Sequence, residues 1–254
     1  MNKIRKGLFG YLESMIMIIL IIILWCITVK YGNINAILLP SPQMIVSTFL
    51  KKLQDGSLLT EIAVSISRVL KGYFCAVIAG TSLGVAIGLS EHMHRMTKVV
   101  IQILKPIPPI AWIPLVILWM GIGESSKVFL IFLGGFFTVL LNVVDGIRYI
   151  DPKIIEVSYA AETPKIKYIF QLVLPAALPN IFTGLKVALG TSWSCVVAAE
   201  LVAASNGIGY MISNARNFGQ MDVVIIGMLS IGIVGKGMDE ILKWMERKAL
   251  AWNF

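Results

Sequence analysis

The sequence predicts an all-α, polytopic membrane protein with about six transmembrane helices. Three observations carry this. Of the 254 residues, 57% are apolar and only 14% charged, with a mean hydropathy of +0.83, whereas a soluble domain has roughly 45–50% and 25%. The apolar residues gather into runs of bilayer-crossing length, about 20 helical residues each. Short segments holding Gly, Pro, Lys and Arg separate the runs, and a chain of 254 residues leaves no room for a large soluble domain. A soluble globule of this size cannot hide so much apolar surface, and a disordered chain would be far more polar. The net charge of +8 and pI of 9.4 would point to nucleic acid in a soluble protein. Here the expected reason is that Lys and Arg collect in cytoplasmic loops, and no nucleic-acid partner is expected. Cys26, Cys75 and Cys195 lie far apart in apolar stretches and read as small buried hydrophobes, not redox or metal groups.

The spans are expected at about 12–30, 69–89, 99–120, 128–144, 180–203 and 223–242, in one transmembrane domain over 1–254. The first follows the basic stretch Lys3-Ile4-Arg5-Lys6 and has no small-residue cleavage site after it, so it reads as a retained span with its N-terminus inside. Ser41-Pro42 after Leu39-Pro40 is a helix start, with Ser41 as cap and Pro42 in the first turn. Val46, Phe49, Leu50 and Leu53 then recur at helical spacing, as on an amphipathic helix. In the second span Gly80, Gly84 and Gly88 share one face, where another helix can approach closely. The third is broken by Pro106, Pro108, Pro109 and Pro114, which remove backbone donors and force a kink. Such irregular backbone sits at membrane depth only against protein or a water-filled cavity. Six crossings put the C-terminal tail, the 90–98 segment and the 145–178 loop on the cytoplasmic side, with Lys51, Lys52 and Arg216 as exceptions outside.

The 145–178 loop is the most informative stretch. Asp151-Pro152 is an N-cap followed by a first-turn Pro, and Thr163-Pro164 repeats the pattern. Two short helices at an angle are expected, the second ending at Leu174-Pro175. Such an element suits docking into a partner's groove; equally, it is a loop touching only its own bundle.

Here the chain resembles the permeases of binding-protein-dependent ABC importers. Their cytoplasmic loop has Glu-Ala-Ala, three residues, Gly, nine residues, Ile, one residue, Leu-Pro. In this sequence the register places Glu156, Val157, Ser158, Tyr159, Ala160, Ala161 and Glu162, then Leu172, Leu174 and Pro175. Val157 and Ser158 replace the two Ala, and Glu162 stands at the Gly position, where Pro164 is expected to set the bend instead. Ile113–Lys127, Leu174–Pro179, Gly184–Gly190, Trp193–Glu200, Gly207–Tyr210 and the basic tail extend the resemblance over about 40–250, to the nitrate, sulfonate and taurine branch.

The resemblance implies the type I ABC importer permease fold with a cytoplasmic coupling-helix loop. It implies an assembly of two ATP-binding subunits, a second permease copy (a homodimer being the simplest pairing) and an extracytoplasmic solute-binding protein, in a bacterial inner membrane with both termini cytoplasmic. The cargo would be a small solute such as an organosulfonate, taurine or nitrate. ATP and Mg would bind on the ATPase, with no cofactor in this chain. The residues agree with that division. There is no phosphate-cradling Gly-x-x-x-x-Gly-Lys-Ser/Thr loop, no catalytic constellation and no metal-ligand set beyond the isolated His92 and His94, so the chain is not expected to be an enzyme. The competing reading is an ATPase-independent secondary transporter or channel, which would show membrane ion pairs or paired broken helices.

For solute passage the sequence singles out Pro108, Pro109, Trp112, Ser192, Trp193 and Ser194. Glu200, a carboxylate inside a span, has two open roles: lining the pathway or anchoring the outer end of its helix by local hydrogen bonds. Lys186 is expected to snorkel to the inner interface, and Lys236 and Glu240 to pair at i,i+4.

Overall fold

The computed structural model describes residues 2–32, 35 and 38–251; side chains at 2–14, 159, 165 and 203 lie outside the described set, that of Tyr159 among them. Every element among the described residues is helical. They divide into two compact units, Met1–Leu58 with Met211–Leu229, and Leu59–Tyr210 with Ser230–Phe254.

The first unit holds α1 (Asn2–Tyr31) and α2 (Pro42–Gln54) with parts of α10 (Ile208–Asn217) and α11 (Met221–Ala249). Ser41 caps α2 as the sequence predicts, its hydroxyl accepting from the Met44 N–H at 3.3 Å. Ile45 is buried, while Val46, Phe49, Leu50 and Leu53 are exposed. An exposed apolar face on a capped helix is what a lipid or interfacial surface looks like. The Thr48 hydroxyl donates to Asp222 at 2.6 Å.

The second unit carries the membrane bundle: α3 (Ser57–Leu89), α4 (Glu91–Leu104), a 3-10 turn (Pro109–Trp112), α5 (Ile113–Met120), α6 (Glu124–Arg148), α7 (Pro152–Ala160), α8 (Lys165–Lys167) and α9 (Leu174–Ala203), with the later part of α11. Helices Ser57–Leu89, Glu124–Arg148, Tyr168–Val202 and Met221–Ala249 are each long and apolar enough to cross a bilayer. The glycine stripe of α3 does what its spacing predicts. A Cβ on Gly80, Gly84 or Gly88 would meet Val139, Val143 or Ile147 at 2.9, 2.7 and 2.9 Å, and one on Gly72 would meet Ile131 at 2.7 Å. Each glycine thus admits the α6 residue at the same sequence offset, so α3 and α6 pack closely and run in the same direction. Leu70, Phe74 and Ile78 stay exposed. Cys75 is exposed too, as is Cys26, so neither is the buried hydrophobe the sequence suggests; apolar side chains of a membrane bundle face lipid as readily as the core.

Helix direction settles how the proline-broken segment travels. α4 and the stretch Pro109–Met120 meet at 84°, as a broken span or a re-entrant loop would. Arg68, near the start of α3, bonds Glu124 at the start of α6, whereas Arg148 at the end of α6 bonds Glu91 just past the end of α3. The chain between Leu89 and Glu124 therefore passes from one end of the bundle to the other, and the bent pair is one crossing. α9 returns antiparallel to α6, with Gly135 beside Ser192 and Gly146 beside Ala177. α11 runs antiparallel to α9, through Trp193 Nε1 to the Ile231 carbonyl at 3.0 Å and Lys186 to Glu246 at 2.8 Å. That ion pair, and not snorkelling alone, holds Lys186. Lys236 pairs with Glu240 as its spacing predicts.

The second loop helix does not end at Leu174-Pro175. From Lys165 the chain stays helical through Ala203, and over Tyr168–Val173 it widens to a π-helix in which the Leu174 N–H reaches back to the Ile169 carbonyl. A proline breaks an α-helix by lacking an N–H and by clashing one turn back; the wider turn before Pro175 relieves both.

Candidate functional site

α6 and α9 form a hairpin whose two ends differ in kind. Small residues let the helices close on each other: Gly134 admits Cys195 and Gly184 admits Asn142, both at 2.5 Å from the position of a Cβ. Val139, Val143, Ile147, Val173, Ala177 and Ile181 form a continuous core along the hairpin.

At the loop end, α7 starts where predicted, with the Lys153 N–H donating to Asp151 Oδ1 at 2.9 Å. It ends in a Schellman turn, the Thr163 N–H bonding the Ser158 carbonyl at 3.1 Å. The residue that reverses the chain is Glu162, at φ +47°, the position where this motif ordinarily takes glycine. The bend is therefore not set by Pro164 alone. The left-handed conformation survives although the residue is not Gly, and Pro164 follows it to stop the helix. Ile155, Tyr168 and Leu172 pack against the hairpin core, and Ser158 is buried with its hydroxyl on the Ile155 carbonyl at 2.7 Å. Leu174 and Pro175 are half-buried, whereas Glu156, Ala160, Ala161 and Glu162 are exposed. Three large apolar side chains stand on the outer surface: Val157 is 68% exposed, Ile166 74% and Phe170 66%. The loop is thus two-faced, anchored on one side and unpartnered on the other.

At the far end lies a closed polar knot. Arg68, 2% exposed, gives Nε and Nη2 to the Glu124 carboxylate at 2.7 and 2.6 Å. Its Nη1 goes to Glu200 at 2.8 Å and to the Asn206 carbonyl at 2.7 Å, and Nη2 also meets the Asn206 side chain. A guanidinium has five N–H donors, so Arg68 is fully used. Glu200, 1% exposed, accepts further from the Ser65 hydroxyl and the Gly209 N–H, each at 2.9 Å. The N–H groups of Gly207 and Ile208 are taken by Glu61 and by Ser65. Gly207 sits at φ +105° directly against the Glu200 carboxyl, where a side chain has no space. Lys127, also buried, donates to Glu124 at 3.0 Å. Successive backbone N–H groups at the start of α10 are thus capped by side chains of α3 and α9, which satisfies donors a helix start leaves open. The sequence reading named Glu200 but not its partners. Glu61, Ser65 and Arg68 stand at i, i+4 and i+7 ahead of an apolar run, a legible signal of a polar helix face.

Between the ends, the bent span, α6 and α9 enclose an open groove of about 500 Å³, lined by Lys105, Pro109, Trp112, Thr138, Thr191 and Ser194 among others. It adjoins a hollow of about 190 Å³ that shares Pro109, Ser194 and Cys195 and reaches Pro108 and Ala198. The residues singled out for solute passage therefore separate. Pro109, Trp112 and Ser194 line the groove, and Pro108 the hollow beside it. Ser192 and Trp193 are buried, bonded to the Ile131 and Ile231 carbonyls, because successive residues of α9 point to different faces. Glu200 lies at the far end, buried and hydrogen-bonded to Arg68, Ser65 and the Gly209 N–H, as the anchoring role describes.

Comparison with known proteins agrees with this geometry. Residues 72–249 match the family of binding-protein-dependent transport system inner membrane components. A Bacillus subtilis permease whose name assigns it to aliphatic sulfonates, SsuC, is 37% identical over 99% of this chain and 91% of its own length. The Escherichia coli taurine transport system permease protein TauC is 32% identical over 90% of this chain and 85% of its own. Among solved structures, an inward-facing MetNI methionine ABC transporter superposes with a TM-score of 0.69 at 17% identity, covering 78% of this chain and 98% of the matched one. That likeness speaks for the fold alone. The chain belongs to the family of binding-protein-dependent transport system inner membrane components: it is a multi-pass ABC importer permease.

Proposed function

We propose that this permease carries a small oxyanion-bearing solute, of the sulfonate, taurine or nitrate kind, inward through a path completed by a second copy of the chain. Two ATPase subunits, binding ATP and Mg²⁺, grip the loop between α6 and α9. An extracytoplasmic binding protein delivers the solute at the Arg68 end. The single observation that carries this is the exposed apolar surface of Val157, Ile166 and Phe170 on a loop anchored beneath by Ile155 and Leu172. Apolar surface rimmed by polar groups marks a docking site. Arg95, Lys98, Arg148, Lys153, Lys165, Lys167, Arg247 and Lys248 cluster in segments at the loop end. That favours a cytoplasmic loop and tail in a bacterial inner membrane. With α1 as the first crossing, the spans number six and the N-terminus is cytoplasmic as well. Pro108, Pro109, Trp112 and Ser194 face the solute. Nucleotide-driven closure of the ATPases biases the permease pair between inward- and outward-facing states through contacts that differ in the two.

Reconstitution in proteoliposomes tests this. Uptake by permease, ATPase and binding protein together requires ATP, and Glu156→Ala or deletion of 156–162 abolishes uptake while the permease still inserts. Uptake by the permease alone down an ion gradient contradicts the proposal and supports a secondary transporter.

A further inference from the structure

The groove holds a cation that the fold does not use. Lys105 caps the C-terminus of α4 at the 84° bend, and it shares the groove with Thr138 of α6 and Thr191 and Ser194 of α9. At about 1.5 Å per residue, Thr138 lies about 15 Å from Arg148 and about 21 Å from Glu124 along α6. Lys105 thus shares its groove with the middle of a helix of bilayer-crossing length, a level at which a charge is costly and, when present, functional or paired. The buried cations Arg68 and Lys127 are paired, the first with Glu124 and Glu200 and the second with Glu124, and half-buried Lys186 is paired with Glu246. The groove lining holds no carboxylate, and Lys105 is in no ion pair among the described residues. Around it stand neutral groups, the indole of Trp112 and the hydroxyls of Thr138, Thr191 and Ser194; the last two rest on carbonyls of α9, at 3.0 and 3.1 Å, and must turn from them to donate to a solute.

We infer that Lys105 is the transient counter-ion of the solute, the residue that admits a singly charged oxyanion to the middle of the membrane. The inference rests on the proposed reading of this groove as the solute path. One cation among neutral polar groups attracts an anion yet releases it, as conduction requires. Lysine provides a point charge without a fixed bidentate fork, which suits a passing solute better than a held one.

The test uses the complete importer in proteoliposomes and reads solute moved per ATP hydrolysed, with labelled taurine, ethanesulfonate and nitrate as probes. If the wild type moves none of them, the proposed substrate class fails and this inference falls with it. If it moves one, Lys105→Gln lowers the ratio by about tenfold or more, as loss of a charge-assisted hydrogen bond implies, and Lys105→Arg keeps it within about twofold. An unchanged ratio in Lys105→Gln, or an equal loss in Gln and Arg, overturns the role of Lys105 and leaves the path itself standing. Should Lys105→Gln fail to assemble, the pair Thr138→Val and Ser194→Ala keeps the cation and removes two hydroxyls; a lowered ratio supports the inference and an unchanged one overturns it.

Discussion

The two ends of the α6–α9 hairpin solve opposite problems. At the far end the buried charges are matched: Arg68 joins Glu124, Glu200 and Asn206, tying α3, α6, α9 and the segment before α10. At the loop end the backbone is secured but apolar side chains are left facing outward. A network that spends the hydrogen bonds of Arg68 and Glu200 internally fixes geometry. A secured loop with an unpartnered apolar surface has little to gain from its own fold and much to gain from docking. The hairpin between them packs continuously through small residues.

Substitutions at the two ends are expected to differ in what they damage. The largest effect on stability is expected at the knot. Arg68→Met strands the Glu200 carboxylate in a buried site, and losing one partner of a buried pair costs about 3–5 kcal/mol; thermal unfolding in detergent should show a large drop in midpoint. Next comes the shaft, where Gly84→Val drives atoms into Val143 and overpacking costs about 1–3 kcal/mol, read in the same assay. Smaller and of opposite sign is Glu162→Gly. A non-glycine residue in the left-handed region carries about 1–2 kcal/mol of strain, so glycine should stabilise the loop by about 1 kcal/mol after its extra unfolded-state entropy, seen as slower proteolysis at 160–164. The smallest effect on the fold is expected from Val157→Glu, which alters an exposed side chain and should leave the unfolding midpoint unchanged.

What the sequence revealed follows the same division. Periodic and local features were legible: the four long apolar helices, the Gly80-Gly84-Gly88 face, the Ser41 and Asp151 caps. The knot was not, because its members at 68, 124, 200 and 206 meet only through tertiary structure, and Glu200 alone carried no sign of where its hydrogen bonds go. Pro175 misled because its effect depends on the turn before it, which widens. At Glu162 the family pattern located the bend, and the backbone kept its left-handed form without the expected residue. The groove was half legible: the prolines marked it, but which residues of α9 line it depends on the rotation of that helix, so Ser194 faces the groove while Ser192 and Trp193 do not. Lys105 was visible as a basic residue just before Pro106 in an apolar stretch.

The most direct test of the central claim is retention of the ATPase by tagged permease purified in detergent, comparing wild type with Val157→Glu combined with Phe170→Glu. The account predicts that the double variant folds, keeps the wild-type unfolding midpoint and loses the ATPase. A folded double variant that retains the ATPase at the wild-type level would contradict it.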